Sequence, residues 1–276
     1  MICCLLAWQP ALAGPQASLY RGNLTETDMG DARLSGQEVG FVLEWPLAGA
    51  GLRPAGWGLE YAYTRYEYDN LPTRNRDLHR VEVPIAWVVP GKATQYLEFR
   101  PVIATSSNVM KDLFNRGTSD DLMLQASWAL ESAPSFAAAG WRAGVAYGDA
   151  FGGQQLYPEL AALWRGPGYD FGLGWPRSWA SYQVSNAWRL GTELAPAGAR
   201  WHVVSDERDG ATFDYEVEAW RAIASARWQA TGGFLLSAQA GLEFNRRHRF
   251  EDDEGARVNR EADDALYLEL RFGYRW

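Results

Sequence analysis

The chain has little cysteine, little histidine and no long hydrophobic run. Its two cysteines, Cys3 and Cys4, both lie in the opening stretch MICCLLAWQPALAGPQ, so no disulfide framework holds the rest together. No apolar run approaches the ~18 residues that a membrane-spanning helix requires, and mean hydropathy is −0.31. Basic charge is in the minority, with 26 Lys and Arg against 34 Asp and Glu, a net charge of −8. Such a balance leaves no basic face of the size that phosphate neutralisation demands, which argues against a nucleic-acid partner. There is no phosphate-cradling glycine loop and no zinc-ligand spacing, so no cofactor or metal is expected.

What is abundant is aromatic and small: 14 Trp, 13 Tyr and 28 Gly. The opening apolar stretch followed by Ala11-Leu12-Ala13 has the h-region and small-residue cleavage site of a secretory signal. Residues 1–13 are therefore expected to be a signal-peptide remnant, and 14–276 a single domain.

That domain alternates. In HRVEVPIAWVV, Val81, Val83, Ile85, Trp87 and Val89 share one face against Arg80, Glu82, Pro84 and Ala86. In QYLEFRPVIA, Leu97, Phe99, Pro101 and Ile103 oppose Tyr96, Glu98 and Arg100. The closing ALYLELRFGYRW sets Leu266, Leu268, Leu270, Phe272, Tyr274 and Trp276 against Tyr267, Glu269, Arg271, Gly273 and Arg275. Period-2 alternation marks strands with one apolar and one polar face. The pattern predicts about fourteen of them, with twelve the runner-up: 16–27, 37–45, 56–68, 78–89, 94–105, 120–131, 139–149, 154–165, 168–175, 181–193, 198–206, 212–229, 233–249 and 263–276.

The connections alternate too. PGKA, RGPG, APAG and ATGG are short, whereas DNLPTRNRD, SSNVMKDLFNRGTS, SDERDG and EDDEGARVNREAD are longer and charged. Short periplasmic turns and longer external loops are the asymmetry of an outer-membrane barrel. Trp45, Trp57, Trp87, Trp128, Trp141, Trp164, Trp228 and Trp276 all fall beside expected inner ends, as a membrane-interface girdle requires. The expectation is an all-β fold: a closed, antiparallel, up-and-down transmembrane barrel, since only closure leaves no unpaired edge in lipid. A soluble β-sandwich is the alternative. In TFDYEVEAWRAIASARW the apolar phase shifts after Ala219, and a bulge near Ala219 and Trp220 is expected to restore the outward face.

The inward faces are then charged with both signs. Candidate lumen residues are Arg80, Glu82, Glu98, Arg100, Arg142, Glu159, Arg189, Glu216, Glu218, Arg221, Glu243, Glu269 and Arg271. The same faces carry Glu44, Glu60, Arg165, Glu193, Arg227 and Arg275. Arg–carboxylate pairs satisfying buried charge would explain them structurally; a charged constriction would explain them functionally. Two functions follow, a passive channel for a small polar or charged solute and a non-conducting envelope barrel serving as scaffold or surface contact.

A rim hydrolase is the third. WHVVSDERDG puts His202, Ser205 and Asp206 near an external strand end, but residues three apart on a strand face opposite sides. No catalytic residue is therefore assigned. His79 and His248 are expected at a solvated rim. The pairs Asp120-Asp121, Asp252-Asp253 and Asp263-Asp264 are expected in solvated loops, with cation bridging to lipopolysaccharide phosphates as the functional alternative.

The stretch YDFGLGWPRSWASYQVSNAWRLGTELAPAGARWHVVSDERDG, then FDYEVEAWRA and the closing ALYLELRFGYRW, resembles an uncharacterised family of proteobacterial outer-membrane β-barrels. The resemblance rests on Gly174-Trp175-Pro176 with Ser178, on Trp188, on Pro196-Ala197-Gly198 with Trp201, and on the terminal strand. It implies a fold and an outer-membrane address in a Gram-negative cell, with lipid and lipopolysaccharide as surroundings. It brings no ligand or catalytic residues. The last strand also resembles the signal read by the outer-membrane assembly machinery, which makes Leu270, Phe272, Tyr274 and Trp276 the candidate assembly residues.

Overall fold

In the computed structural model, residues 14–47, 54–71, 73–111, 122–132, 139–205, 210–252 and 254–276 are described. They form a closed antiparallel barrel of fourteen strands. The strands are β1 (Gln16–Met29), β2 (Ala32–Pro46), β3 (Gly56–Asp69), β4 (Arg76–Glu82 and Ile85–Val89), β5 (Ala93–Ser106), β6 (Leu122–Ser132) and β7 (Gly140–Phe151). There follow β8 (Gly153–Gly166), β9 (Tyr169–Trp175), β10 (Ser178–Gln183), β11 (Trp188–Pro196 and Ala199–Ser205), β12 (Ala211–Gln229), β13 (Phe234–Glu251) and β14 (Arg257–Ala262 and Ala265–Arg275). One short helix, α1 (Ser107–Lys111), follows β5. Each strand pairs with the next, and β14 closes on β1 from Gln16↔Arg275 to Leu24↔Tyr267. The end carrying Gln16 and Trp276 is called here the terminal end, the other the loop end.

The alternation read from the sequence is the alternation of the wall. On β14, Leu266, Leu268, Leu270, Phe272 and Tyr274 are exposed while Ala265, Tyr267 and Glu269 are buried. A ring of exposed tryptophans runs round the terminal end: Trp45, Trp57, Trp128, Trp141, Trp164, Trp188, Trp228 and Trp276. Trp45 joins Trp57 and Trp276 at centroid distances of 6.5 and 6.0 Å.

Three expectations need correction. The stretch 195–198 is not a turn. β11 keeps one register with β12 from Trp188↔Trp228 through Ser205↔Ala211, and the reversal comes at residues 184–187. Pro196 is tolerated because Ala197 N bonds back to Ala219 O, so Pro196 lacks its N–H on the edge where β10 has already ended at Ser178↔Leu194. The fourteen strands therefore stand, with 181–193 and 198–206 redivided.

Second, not every loop-end connection is long. Residues 30–31, 152 and 176–177 are tight, and Gly30 (φ 72°) and Gly152 (φ 90°) supply the left-handed backbone that such reversals need. Third, the irregularity beside Ala219 belongs to β13. Glu218↔Arg247 is followed by Trp220↔Phe244, two steps on β12 against three on β13, and Asn245 takes φ 51°. On β12 itself Phe213, Tyr215, Val217, Ala219 and Arg221 are all buried, so its inward phase never changes. The apolar phase flips because the surroundings do.

The loop end is narrower than the wall below it. Past Leu194, β11 has no β10 beside it and instead meets β5 through the parallel pair His202↔Thr105. Among the described residues, β11–β14 and β1–β5 thus close a nine-strand ring above the ends of β6–β10. Gly198 N, bonded to Ala150 O at 2.9 Å, fixes the departure point against β7.

Candidate functional site: the barrel interior

Inside the nine-strand ring the lumen is filled. Met29, Leu34, Tyr66, Tyr68, Leu78, Val102, Trp201, Phe213, Tyr215 and Phe250 form one buried cluster. Each such side chain contributes roughly 1.5–3 kcal/mol by burial, so the plug is a hydrophobic core and not a loose constriction. Its polar thread is a Tyr68–Tyr215 hydroxyl pair, with Tyr215 OH 2.9 Å from His248 Nδ1. His248, expected at a solvated rim, is fully buried here. The β13 irregularity turns it inward.

The segment that completes the plug is held by side chains. Arg200 N donates to Asp149 Oδ2 at 3.0 Å, Val204 N to Ser106 Oγ at 3.4 Å, and Asn108 Nδ2 to Val204 O. Asp149 also receives Arg80 Nη1 at 2.6 Å and Gln125 Nε2 at 2.5 Å.

Arg80 leads into an ion-pair layer. Its Nε donates to Glu82 at 2.5 Å, Arg100 Nη1 donates to Glu82 at 2.6 Å, and Arg100 Nε to Glu98 at 3.0 Å. Arg80 and Glu82 side chains are each only 1 % exposed. In such low dielectric the carboxylates are what make the guanidinium tolerable. A second group joins Arg142 to Glu159 at 3.2 Å and to Glu131 at 3.7 Å, with Arg165 on Glu131 at 2.5 Å. A third joins Arg221 to Glu243 at 2.5 Å, with Arg246 on the same carboxylate at 3.3 Å. There Arg221 lies 3.8 Å from the Tyr267 ring centre, Tyr267 OH donates to Glu269 at 2.7 Å, and Arg271 pairs with Glu269 at 3.2 Å. A cavity of about 20 Å³ borders both Tyr66 and Trp201 of the plug and Arg221 and Tyr267 of the network, room for a water molecule.

Two candidate lumen charges lie elsewhere. Glu216 and Glu218 alternate with the buried Tyr215, Val217 and Ala219, so they stand on the outer face. There Glu216 pairs with Arg249 at 3.2 Å, and Glu218 with Arg247 at 3.7 Å and with Arg249. Their phase was read correctly, but the side was reversed, because near the loop end the apolar residues face in. Arg189 is inward and directly opposite Arg227. Leu270, Phe272, Tyr274 and Trp276 form an exposed outward row beside the closing seam.

Sequence reasoning missed Asp149. Strict alternation along β7 puts it outward, but the register slips between Gly148↔Gln155 and Phe151↔Gly153, and this bulge re-aims it into the lumen. Arg246 was missed for the same reason, since it lies just past Asn245. Glycines flanking a strand end are the one available signal, and Gly148, Gly152 and Gly153 stand there.

The hydrolase geometry does not assemble at His202. It faces outward with Nδ1 3.8 Å from Asp214, Ser205 is buried on the other side, and Asp206 lies outside the described residues. His79, also outward, has Ser107 Oγ at 2.7 Å and Tyr61 OH at 2.8 Å, so a phenol and not a carboxylate holds its second nitrogen. Asp120, Asp121 and Asp253 lie outside the described residues. Asp252 Oδ1 accepts from Glu254 N and Ala256 N and so caps its own turn.

No family model matches the chain, and neither does any curated protein. Among solved structures, the COG4313 outer membrane channel from Pseudomonas putida F1 is similar at 11 % identity, covering 96 % of this chain and 97 % of that one, with a TM-score of 0.52. The Pseudomonas putida toluene transporter TodX is similar at 10 % identity over 96 % of this chain and 91 % of that one, with a TM-score of 0.38. The first of these likenesses speaks to the fold alone.

Proposed function

We propose that the chain is an outer-membrane barrel of a Gram-negative bacterium, a passive channel for a small polar or charged solute, closed in this conformation. A belt of exposed Leu, Val and Phe above a tryptophan ring supports the membrane placement. The fold likeness to a protein described as an outer membrane channel supports the class. The observation that carries the reading is how the closure is made. It depends on one segment, Ala199–Ser205, that leaves β10 and crosses to β5, above a lumen lined with interleaved charge.

Planar-bilayer recordings test this. Wild type is expected to open rarely. A Ser106→Ala, Asn108→Ala variant, which removes both side-chain anchors of Val204, is expected to open at least ~10-fold more often, the loss of ~1.4 kcal/mol. Background conductance from both proteins would count against a channel. It would favour the second reading, a non-conducting envelope barrel, whose support is the nearly complete burial of Arg80, Glu82 and Asp149.

Lipid, lipopolysaccharide and the assembly machinery are the proposed partners, the last through Leu270, Phe272, Tyr274 and Trp276. Deleting Trp276 together with Tyr274→Ser is expected to lower outer-membrane insertion, scored by fractionation. Unimpaired insertion would leave these residues as ordinary outward strand positions.

A further inference from the structure

One row of the inward face near the terminal end gathers charges of one sign. Arg189 on β11 is the direct cross-strand partner of Arg227 on β12; Arg227 partners Ser237 on β13, and Ser237 partners Arg271 on β14. Three guanidinium-bearing positions thus share one row across four neighbouring strands, and Arg275 lies four residues beyond Arg271 on the same inward phase. Like charges directly opposite one another on a sheet destabilise it unless something neutralises them.

Resident groups neutralise the row unevenly, for Arg227 and Arg271 have partners within the chain. Glu269 takes Arg271 at 3.2 Å, and Glu44 sits in the field of Arg227, Arg271 and Arg275. Arg275 Nη2 spends its donor on Gln16 at 2.8 Å, a neutral partner. Arg189 has no hydrogen-bond or ion-pair partner among the described residues. The contrast with the plug is in exposure, for Arg227 is exposed and Arg189, Arg271 and Arg275 are partly so. Arg189, Arg227 and Arg275 lie within three residues of the terminal-end limits of their strands.

We infer that this row is a binding site for a small oxyanion, a carboxylate or phosphate group held between Arg189 and Arg227 and attracted by Arg271 and Arg275. Guanidinium forks match the geometry of such anions, and arginine rings are a known way of selecting them in pores. The site rests on the channel reading only for its role in transport. Binding needs no conduction.

The test uses the refolded full chain in detergent at low salt, titrated calorimetrically with inorganic phosphate and, separately, with succinate. Saturable binding of either is expected, weakened at least ~10-fold in Arg189→Glu and in Arg227→Glu, and weakened by added KCl. Arg189→Gln and Arg227→Gln serve if a reversed charge blocks folding, which heat-modifiable gel migration reports. Which anion binds decides between the phosphate and carboxylate sources. No binding of either anion, or binding unchanged in the variants, overturns the site. Wild type that binds but never conducts sinks the channel reading and leaves the site standing. Where conductance is found, a KCl gradient is expected to show anion preference that Arg227→Glu removes; cation preference in wild type overturns the proposal.

Discussion

Along β12, Phe213, Tyr215 and Val217 lie buried inside the barrel, whereas a few residues later Ala222, Ala224 and Ala226 face outward. The same strand is thus amphipathic in opposite senses at its two ends. In the terminal half the apolar side meets the exterior and the charged side meets the lumen. In the loop half Asp214, Glu216 and Glu218 face out, and the lumen is a hydrophobic core. Alternation fixes that two faces differ, but not which face is inside. What surrounds the wall decides that, apolar in one half and aqueous in the other.

The comparison can be broken at several places. The largest effect is expected where the two halves meet, at Asp149, whose loss leaves Arg80 buried beside too little negative charge. Asp149→Ala is expected to destabilise the barrel by about 3–5 kcal/mol, read as a lowered urea midpoint in lipid vesicles. Asp149→Asn should recover part of it through the hydrogen bond from Arg200 N. An unchanged midpoint would show that the layer does not join the halves.

The outer faces then give a paired test. Leu268→Arg places a charge in the belt on β14 and is expected to cost about 2–4 kcal/mol if the position is near mid-membrane. Glu216→Gln, on the outer face of the loop half, removes partly exposed ion pairs with Arg249 at 3.2 Å and Arg200 at 3.9 Å and is expected to cost at most about 1 kcal/mol. Equal costs would mean that the two exteriors see the same medium, and the division into halves would fail.

The arginine row could be read only in part from the sequence. Arg189 and Arg227 were recognisable as inward, because Leu190 and Trp228 hold the outward phase. Their opposition was not, because it depends on where the turn before β11 lies. With a strand ending at 193 and a turn at 195–198, Arg189 and Arg227 belong to strands that are not neighbours. With the reversal at 184–187 they face one another. The charges of the ion-pair layer were mostly legible, whereas Asp149 and Arg246 were hidden by single extra residues that invert the phase beyond them.

The sequence by itself determined the number of strands, the bounds of most of them, the separation into apolar and charged faces, and the tryptophan ring, because these follow from side-chain order at period two. Tertiary structure alone decided that β11 leaves its neighbour for β5, that the apolar face turns inward at the loop end, and that Arg189 meets Arg227. Those outcomes depend on registers and bulges, and a shift of one residue there moves every later side chain to the other face.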